Sequence, residues 1–299
     1  MKRLLLSAVL PAVISVCLQA QAPVDYNALT THHTLKCGSV EREYFLYIPE
    51  GMPEGAPLVV CMRGFSRKPA KRSGFDDFKA LAAREKFAVC VPLALHDNTG
   101  GYGWNVGYCF QQADKEFSKT DDVRYLTKLV RHLQKEYGLS KENVFCTGAS
   151  NGGEMCYHMA YVKPDLFKAY APQFGLTMTW LYKSVTPRKA VPLIEIHGTE
   201  DHVSEWGGDP ANLGGWGEYV SVPLAVSQWA LMARCTHESC EELVPLDPSS
   251  GRKVFLHKYL GGDDGIEVWL YEIVGAGHGG FGKEINSAEC IWEFFRKYI

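Results

Sequence analysis

The sequence has no surplus of either charge. Its 299 residues hold 31 Lys and Arg against 34 Asp and Glu, a formal net charge of −3. A nucleic-acid binder needs a basic surplus to displace counterions, so nucleic acid is not an expected partner. Glycine and proline are modest at 29 and 15 residues, which excludes collagen-like and low-complexity chains. Ten cysteines are too sparse for a small disulfide-built scaffold. None pairs with histidine at a zinc-ligand spacing; Cys235-Thr236-His237 is an isolated coincidence. Neither a metal nor another cofactor is therefore expected. The run Leu4–Leu18 is uncharged, but it is short for a membrane span and contains Pro11.

That run has the features of an export signal. Lys2 and Arg3 precede it, and small residues follow at Ala20 and Ala22. A charged, then apolar, then small-residue order predicts a signal peptide over residues 1–20 and a secreted or periplasmic protein. A lipid anchor at Cys17 wants a small residue before it, and Val16 stands there instead. Loss of Cys17 leaves nine cysteines, an odd number, so at least one stays unpaired within the chain. Cys61, Cys90 and Cys146 sit inside apolar runs and read as small buried hydrophobes. Cys235 and Cys240, close together in a polar stretch, are the first candidates for a local bridge.

From residue 40 onward short apolar runs alternate with helical patterns. Glu43–Ile48 alternates as a strand does, while Pro57–Met62, Phe87–Val91, Asn143–Thr147, Val191–Ile196 and Ile266–Val274 read as buried strands. Helices are predicted over Asp76–Lys86, Asp121–Tyr137, Tyr219–Ala233 and Glu284–Tyr298. The second of these keeps Val123, Leu126, Val130, Leu133 and Tyr137 on one face, with Thr120 or Asp121 as its cap and Gly138 as its stop. Such alternation predicts an α/β fold with a mostly parallel sheet covered on both faces. No linker or repeat divides residues 21–299, which read as one domain. Two long glycine-rich stretches, His96–Thr120 and Val203–Glu218, interrupt the pattern and are candidate binding loops.

The chemistry concentrates at predicted strand ends. Gly148-Ala149-Ser150-Asn151-Gly152-Gly153 follows a strand and opens a helix. A turn that tight strains its central residue and demands small neighbours, which lifts the Ser150 hydroxyl clear of the sheet as a nucleophile. A serine needs a base steered by a carboxylate. Asp201, in His197-Gly198-Thr199-Glu200-Asp201, lies just past a later strand and is the candidate acid, with Glu200 the weaker choice. Of His202, His237, His257 and His278, only His278 sits in a glycine-flanked loop directly beyond a strand, so it is the candidate base; His197 reads as structural. An oxyanion hole needs two backbone amides. Those of Asn151, after the nucleophile, and Phe65, in Arg63-Gly64-Phe65, are the candidates.

These motifs resemble the secreted esterases that include feruloyl esterases, acetylxylan esterases and polyhydroxybutyrate depolymerase-like proteins, all of the α/β-hydrolase fold. The resemblance runs from Arg42-Glu43-Tyr44-Phe45-Leu46-Tyr47-Ile48-Pro49 to Trp292-Glu293-Phe294-Phe295. It is carried by Trp104-Asn105, Asp121-Asp122-Val123, Gly148–Gly153, His197–Asp201 and Gly277-His278. It implies that Ser150, Asp201 and His278 are nucleophile, acid and base. Two departures stand out: Arg63-Gly64 where the family has His-Gly, and Gly280-Phe281-Gly282 where it often has Trp-Pro-Gly. Arg63 thereby becomes a candidate substrate contact. Trp104, Trp206 and Trp216 are candidates for stacking on a sugar or aromatic acyl group, or alternatively close loops over the core.

The resemblance implies an exported serine carboxylesterase acting on an ester-decorated polysaccharide, feruloyl or acetyl esters of xylan, or on a small ester. Polyester hydrolysis is the alternative within the class. A serine peptidase of the same fold and a silent carbohydrate-binding protein are the alternatives outside it. Oligomeric state leaves no mark on the sequence.

Overall fold

The computed structural model describes residues 24–299. The signal-peptide reading of residues 1–20, and Cys17 with it, lies outside them. Ten strands form one sheet. In chain order they are β1 (Thr31–Cys37), β2 (Val40–Tyr47), β3 (Leu58–Met62), β4 (Ala88–Pro92), β5 (Val144–Ala149), β6 (Ala169–Gln173), β7 (Leu193–Gly198), β8 (His237–Leu243), β9 (Lys253–Leu260) and β10 (Val268–Val274). Their spatial order is β1-β2-β4-β3-β5-β6-β7-β10-β9-β8. The six central strands from β4 to β10 are mutually parallel, and antiparallel pairs close both edges.

Parallel strands need crossovers, and the helices supply them. They are α1 (Asp76–Glu85), α2 (Asp122–Glu136), α3 (Asn151–Val162), α4 (Val222–Met232) and α5 (Ser287–Phe295). Each central strand sends alternate side chains to opposite faces. In β3, Leu58, Val60 and Met62 enter one core with α2, α3 and α4, while Val59 and Cys61 enter the other with α1 and α5. That two-sided burial is why these strands read as continuous apolar runs. Asp121 caps α2, its carboxylate accepting from the Arg124 amide at 2.8 Å, and Gly138 follows with φ 60°.

Four strands, β1, β6, β8 and β9, are not marked by the sequence pattern. β6 contains Pro172, which argues against a central strand, yet all five of its residues are buried. β8 (His-Glu-Ser-Cys-Glu-Glu-Leu) is polar and exposed, as suits an edge. It is held by antiparallel pairing with β9, whose own pattern is equally irregular. This corrects the expected Cys235–Cys240 bridge. Cys240 lies within β8 opposite His257, Cys235 precedes that strand, and both are free thiols. All nine cysteines of the described residues are free thiols, and Cys61, Cys90 and Cys146 are buried among apolar side chains. Among the described residues no helix is long and apolar enough to cross a membrane.

Candidate active site

β5 ends at Ala149, and α3 begins at Asn151, so a single residue turns the chain between them. Ser150 makes that turn at φ 54° and ψ −124°, a conformation side chains disfavour. Its neighbours explain how it is held. A Cβ on Gly148 would collide with the Gly152 backbone, and one on Gly152 with the Met62 and Arg63 carbonyls. The Ser150 amide is fixed to the Gln173 carbonyl of β6 at 2.9 Å. Packing on both sides therefore prevents the turn from relaxing, and Oγ stands at the carboxyl ends of the parallel strands.

Asp201 follows β7, and His278 follows β10, the adjacent strand. Three long-separated residues thus converge. His278 Nε2 lies 2.9 Å from Ser150 Oγ, and His278 Nδ1 lies 2.7 Å from Asp201 Oδ2. Asp201 Oδ1 accepts from the Val203 and Ser204 amides, each at 2.8 Å. Burial pushes the Asp201 carboxyl up, but the bonds from His278 and those two amides outweigh it and hold the group below its ordinary value. The imidazole is braced edge-on by Phe174 at 4.8 Å and stays 25 % exposed at the cleft. Glu200 is exposed, and among the described residues no hydrogen bond or ion pair joins it to the imidazole.

The loop after β3 presses close to the serine. A Cβ on Gly64 would lie 3.0 Å from the Ala149 carbonyl oxygen and 3.1 Å from Ser150 Cβ, so glycine is what lets the backbone approach. Among the described residues neither the Phe65 amide nor the Asn151 amide donates to an acceptor in the chain. The Asn151 side chain is occupied: Oδ1 accepts from the Trp104 amide at 2.6 Å, and Nδ2 donates to the Trp104 carbonyl at 3.2 Å. Only its main-chain N–H is left for a ligand.

A serine on a strand-to-helix elbow, on a sheet with this strand order and with acid and base after later strands, defines a fold. A solved acetyl xylan esterase from Aspergillus awamori superposes on it with a TM-score of 0.60 at 14% identity, covering 89% of this chain and 99% of that one. The chain has the α/β-hydrolase fold. The Prolyl oligopeptidase family profile matches residues 87–206, from β4 through Ser150 to Asp201. A bifunctional acetylxylan esterase/xylanase of Neocallimastix patriciarum is 25% identical over 162 residues, 54% of this chain and 22% of that protein. Poly(3-hydroxyalkanoate) depolymerase C of Paucimonas lemoignei is 26% identical over 251 residues, 79% of this chain and 58% of that protein. The chain thus spans about a fifth of the first relative and somewhat over half of the second.

Two of the candidate contacts, Trp104 and Arg63, are engaged within the chain. Trp104 is fully buried, and its indole donates to the Arg63 carbonyl at 3.0 Å. It is a wall behind Asn151 and offers no face for stacking. Arg63 turns away from the serine and donates to the Arg72 and Ser73 carbonyls at 2.9 and 3.1 Å, closing its own loop. Trp206 packs edge-on against His197 with ring centroids 6.0 Å apart. Trp216, half-buried like Trp206, lies beside the loop after β3, where it, Phe65 and Phe110 wall a cavity of about 230 Å³. Larger grooves of about 640 and 650 Å³ lie elsewhere and touch neither Ser150 nor its partners.

Sequence reasoning missed two buried carboxylates. Glu195, inside β7, lies 2.8 Å from His197 Nδ1, while His197 Nε2 donates to the Ser204 carbonyl at 2.8 Å. Burial pushes the imidazole down, but Glu195 outweighs it and holds His197 above its ordinary value. The pair clamps the turn that carries Asp201. A lone Glu in an otherwise apolar strand is the signal that could have found it. The second is Glu154, one turn into α3 behind Asn151. Burial pushes its carboxyl up to about 8, against bonds from Tyr108 and Asn151 that pull the other way. The folded chain therefore keeps a proton that the unfolded chain releases above its ordinary value of 4.5. Stability falls as pH rises through this window and levels off above about 8. Glu154→Gln removes the dependence. Its stability relative to the parent should climb by up to about 1.4 kcal/mol per pH unit between those limits. Urea unfolding at a series of pH values checks this, and parallel curves for the two proteins would refute it.

Proposed function

We propose that this chain, with its α/β-hydrolase fold, is an exported serine carboxylesterase. The observation that carries the reading is the unbroken relay from Asp201 through His278 to Ser150 Oγ, beside two unclaimed amides. Ser150 Oγ attacks the ester carbonyl, and its proton passes to His278 Nε2. The charge on the carbonyl oxygen is met by the Phe65 and Asn151 amides, while Asp201 steadies the imidazolium. His278 then protonates the departing alcohol. Water, deprotonated by the same nitrogen, releases the acid from Ser150. No step calls for a metal or cofactor.

The substrate we propose is an ester on plant cell-wall polysaccharide, acetyl or feruloyl, in line with the acetylxylan esterases among the relatives. A polyester substrate is the second reading, favoured by the depolymerase match over 79% of this chain. The intact protein should be labelled by a fluorophosphonate at Ser150 and at no other serine, as read by peptide mass spectrometry. Folded protein that takes no label would overturn the assignment. Initial rates on acetylated xylan, methyl ferulate, a short polyester and a peptide amide then rank the substrates. Fastest turnover of the peptide would move the chain to the peptidases.

A further inference from the structure

The loop after β3 has an unusual charge. The ten residues Arg63–Arg72 hold five cations (Arg63, Arg67, Lys68, Lys71 and Arg72) and no carboxylate, in a chain whose net charge is −3. Among the described residues none of the five forms an ion pair. Arg63 has a structural use: by bonding the Arg72 and Ser73 carbonyls it draws the ends of the loop together and gathers the other four cations. Those four are exposed. Among the described residues the carboxylates of the facing loop form no ion pair with them, and Asp97 and Asp114 are turned to backbone amides instead. Asp97 Oδ1 accepts from the Thr99 and Gly101 amides, and Asp114 from the Asn98, Glu116 and Phe117 amides.

This charge borders the site. Arg67 lies two residues from Phe65, hence within about 7 Å along the chain. It lines the same cavity of about 230 Å³ as Phe65, Phe110 and Trp216. One guanidinium nitrogen donates to the Thr99 carbonyl at 3.1 Å, which steadies the side chain and leaves its other N–H groups free. The three rings meet edge-on with centroids 5.9 to 6.3 Å apart. The result is a shallow slot large enough for a single ring, walled on one side by this packed aromatic cluster and with a cation at its rim.

We propose that this slot binds a carboxylate-bearing sugar, a uronate, next to the ester being cleaved. Aromatic faces suit a sugar ring, and a guanidinium suits a carboxylate because its fork matches both oxygens. Lys68, Lys71 and Arg72 are exposed on the same short loop, one to five residues further along the chain. That arrangement fits the repeated charges of an acidic polysaccharide better than a single acidic acyl group. The inference rests on the esterase reading above and narrows its substrate to an ester on a uronate-containing polymer.

The test compares kcat/KM on acetylated oligogalacturonate and acetylated xylo-oligosaccharide of equal length, with p-nitrophenyl acetate as the neutral small ester. The uronate ester should be preferred by about tenfold or more at low salt. That preference should shrink severalfold between about 20 and 200 mM salt as the charges are screened. Arg67→Gln should reduce the uronate-to-xylan ratio about tenfold. Lys68→Gln combined with Lys71→Gln, which leaves the Arg67–Thr99 bond in place, should move it the same way. Lys135→Gln, on the exposed face of α2, should leave it unchanged. Equal rates on the two oligosaccharides, with p-nitrophenyl acetate still turned over, would overturn this inference alone. A charge preference found equally with p-nitrophenyl monosuccinate would place the carboxylate on the acyl side and overturn the uronate assignment. Failure on every ester would overturn the esterase reading, and this inference with it.

Discussion

Ser150→Ala should lower kcat by on the order of 10⁵-fold or more on any ester the protein turns over, without loss of fold. The size follows from the relay. Removing Oγ takes away the atom that attacks, and His278 Nε2 then has no partner from which to take a proton. The fold should survive because alanine keeps the Cβ already accommodated at φ 54° and ψ −124°. A second substitution at the same place separates chemistry from stability. Ser150 holds a conformation that costs a residue with a side chain about 1–3 kcal/mol, and glycine escapes most of that cost. Ser150→Gly should therefore be as inactive as Ser150→Ala yet unfold at a higher denaturant concentration. The gain should be about 1 kcal/mol after glycine's extra unfolded-state entropy is subtracted. Initial-rate assays and urea unfolding on the two variants check both halves. Substantial activity in Ser150→Ala would remove the serine from the mechanism. A destabilised Ser150→Gly would mean that the turn stores no strain.

Much of the scaffold was legible because its signals are local. β3, β4, β5 and β7 are apolar runs buried on both faces, and α2 keeps an apolar stripe and carries its own cap. The elbow is legible because Gly148 is dictated by crowding against Gly152 within the motif itself, whereas the crowding at Gly152 comes from Met62 and Arg63 of β3 and its loop. The order of Ser150, Asp201 and His278 along the chain, each just after a strand, then gave the remainder of the relay.

What stayed hidden depends on partners far along the chain. Trp104 sits in a glycine-rich stretch and reads equally as a stacking face or a cover over the core; its indole bonds a carbonyl 41 residues away and its amide bonds Asn151, which decides for the core. Arg63 replaces a residue of the resembled family and so reads as a substrate contact, yet its guanidinium closes a loop nine and ten residues downstream. The motif Asp121-Asp122-Val123 likewise has a use that spacing does not reveal. The buried Asp122 carboxylate joins Arg42 at 2.7 Å to the Asn105 amide at 2.8 Å, and so seats the Trp104-Asn105 segment behind the elbow. The aromatic slot escaped notice because Phe65, Phe110 and Trp216 lie in three separate segments, two loops and the short helix Cys109–Ala113, with no common period.

Asp201→Asn should cost about 10⁴-fold in kcat while leaving the site's geometry in place. Asp201 Oδ1 is committed to the Val203 and Ser204 amides, which only an oxygen can accept. An asparagine carboxamide must therefore keep its oxygen there and turn its NH₂ toward His278 Nδ1. That nitrogen is then forced to accept. The proton of the neutral imidazole moves to Nε2, where it points at Ser150 Oγ, and the ring can no longer take the serine's proton. His197 reinforces the constraint. Its Nε2 donates to the Ser204 carbonyl and sits 3.6 Å from Asp201 Oδ2, so the turn has little freedom to offer the imidazole a different atom. Glu200→Gln, at an exposed neighbour, should change kcat less than twofold. Rates on p-nitrophenyl acetate for the two variants, with near-ultraviolet circular dichroism to confirm packing, separate the cases. A near-normal rate for Asp201→Asn with a large loss for Glu200→Gln would transfer the acid's role one residue upstream. Near-normal rates for both would show that His278 works without a carboxylate, a result that the 2.7 Å contact and the lowered Asp201 pKa both oppose.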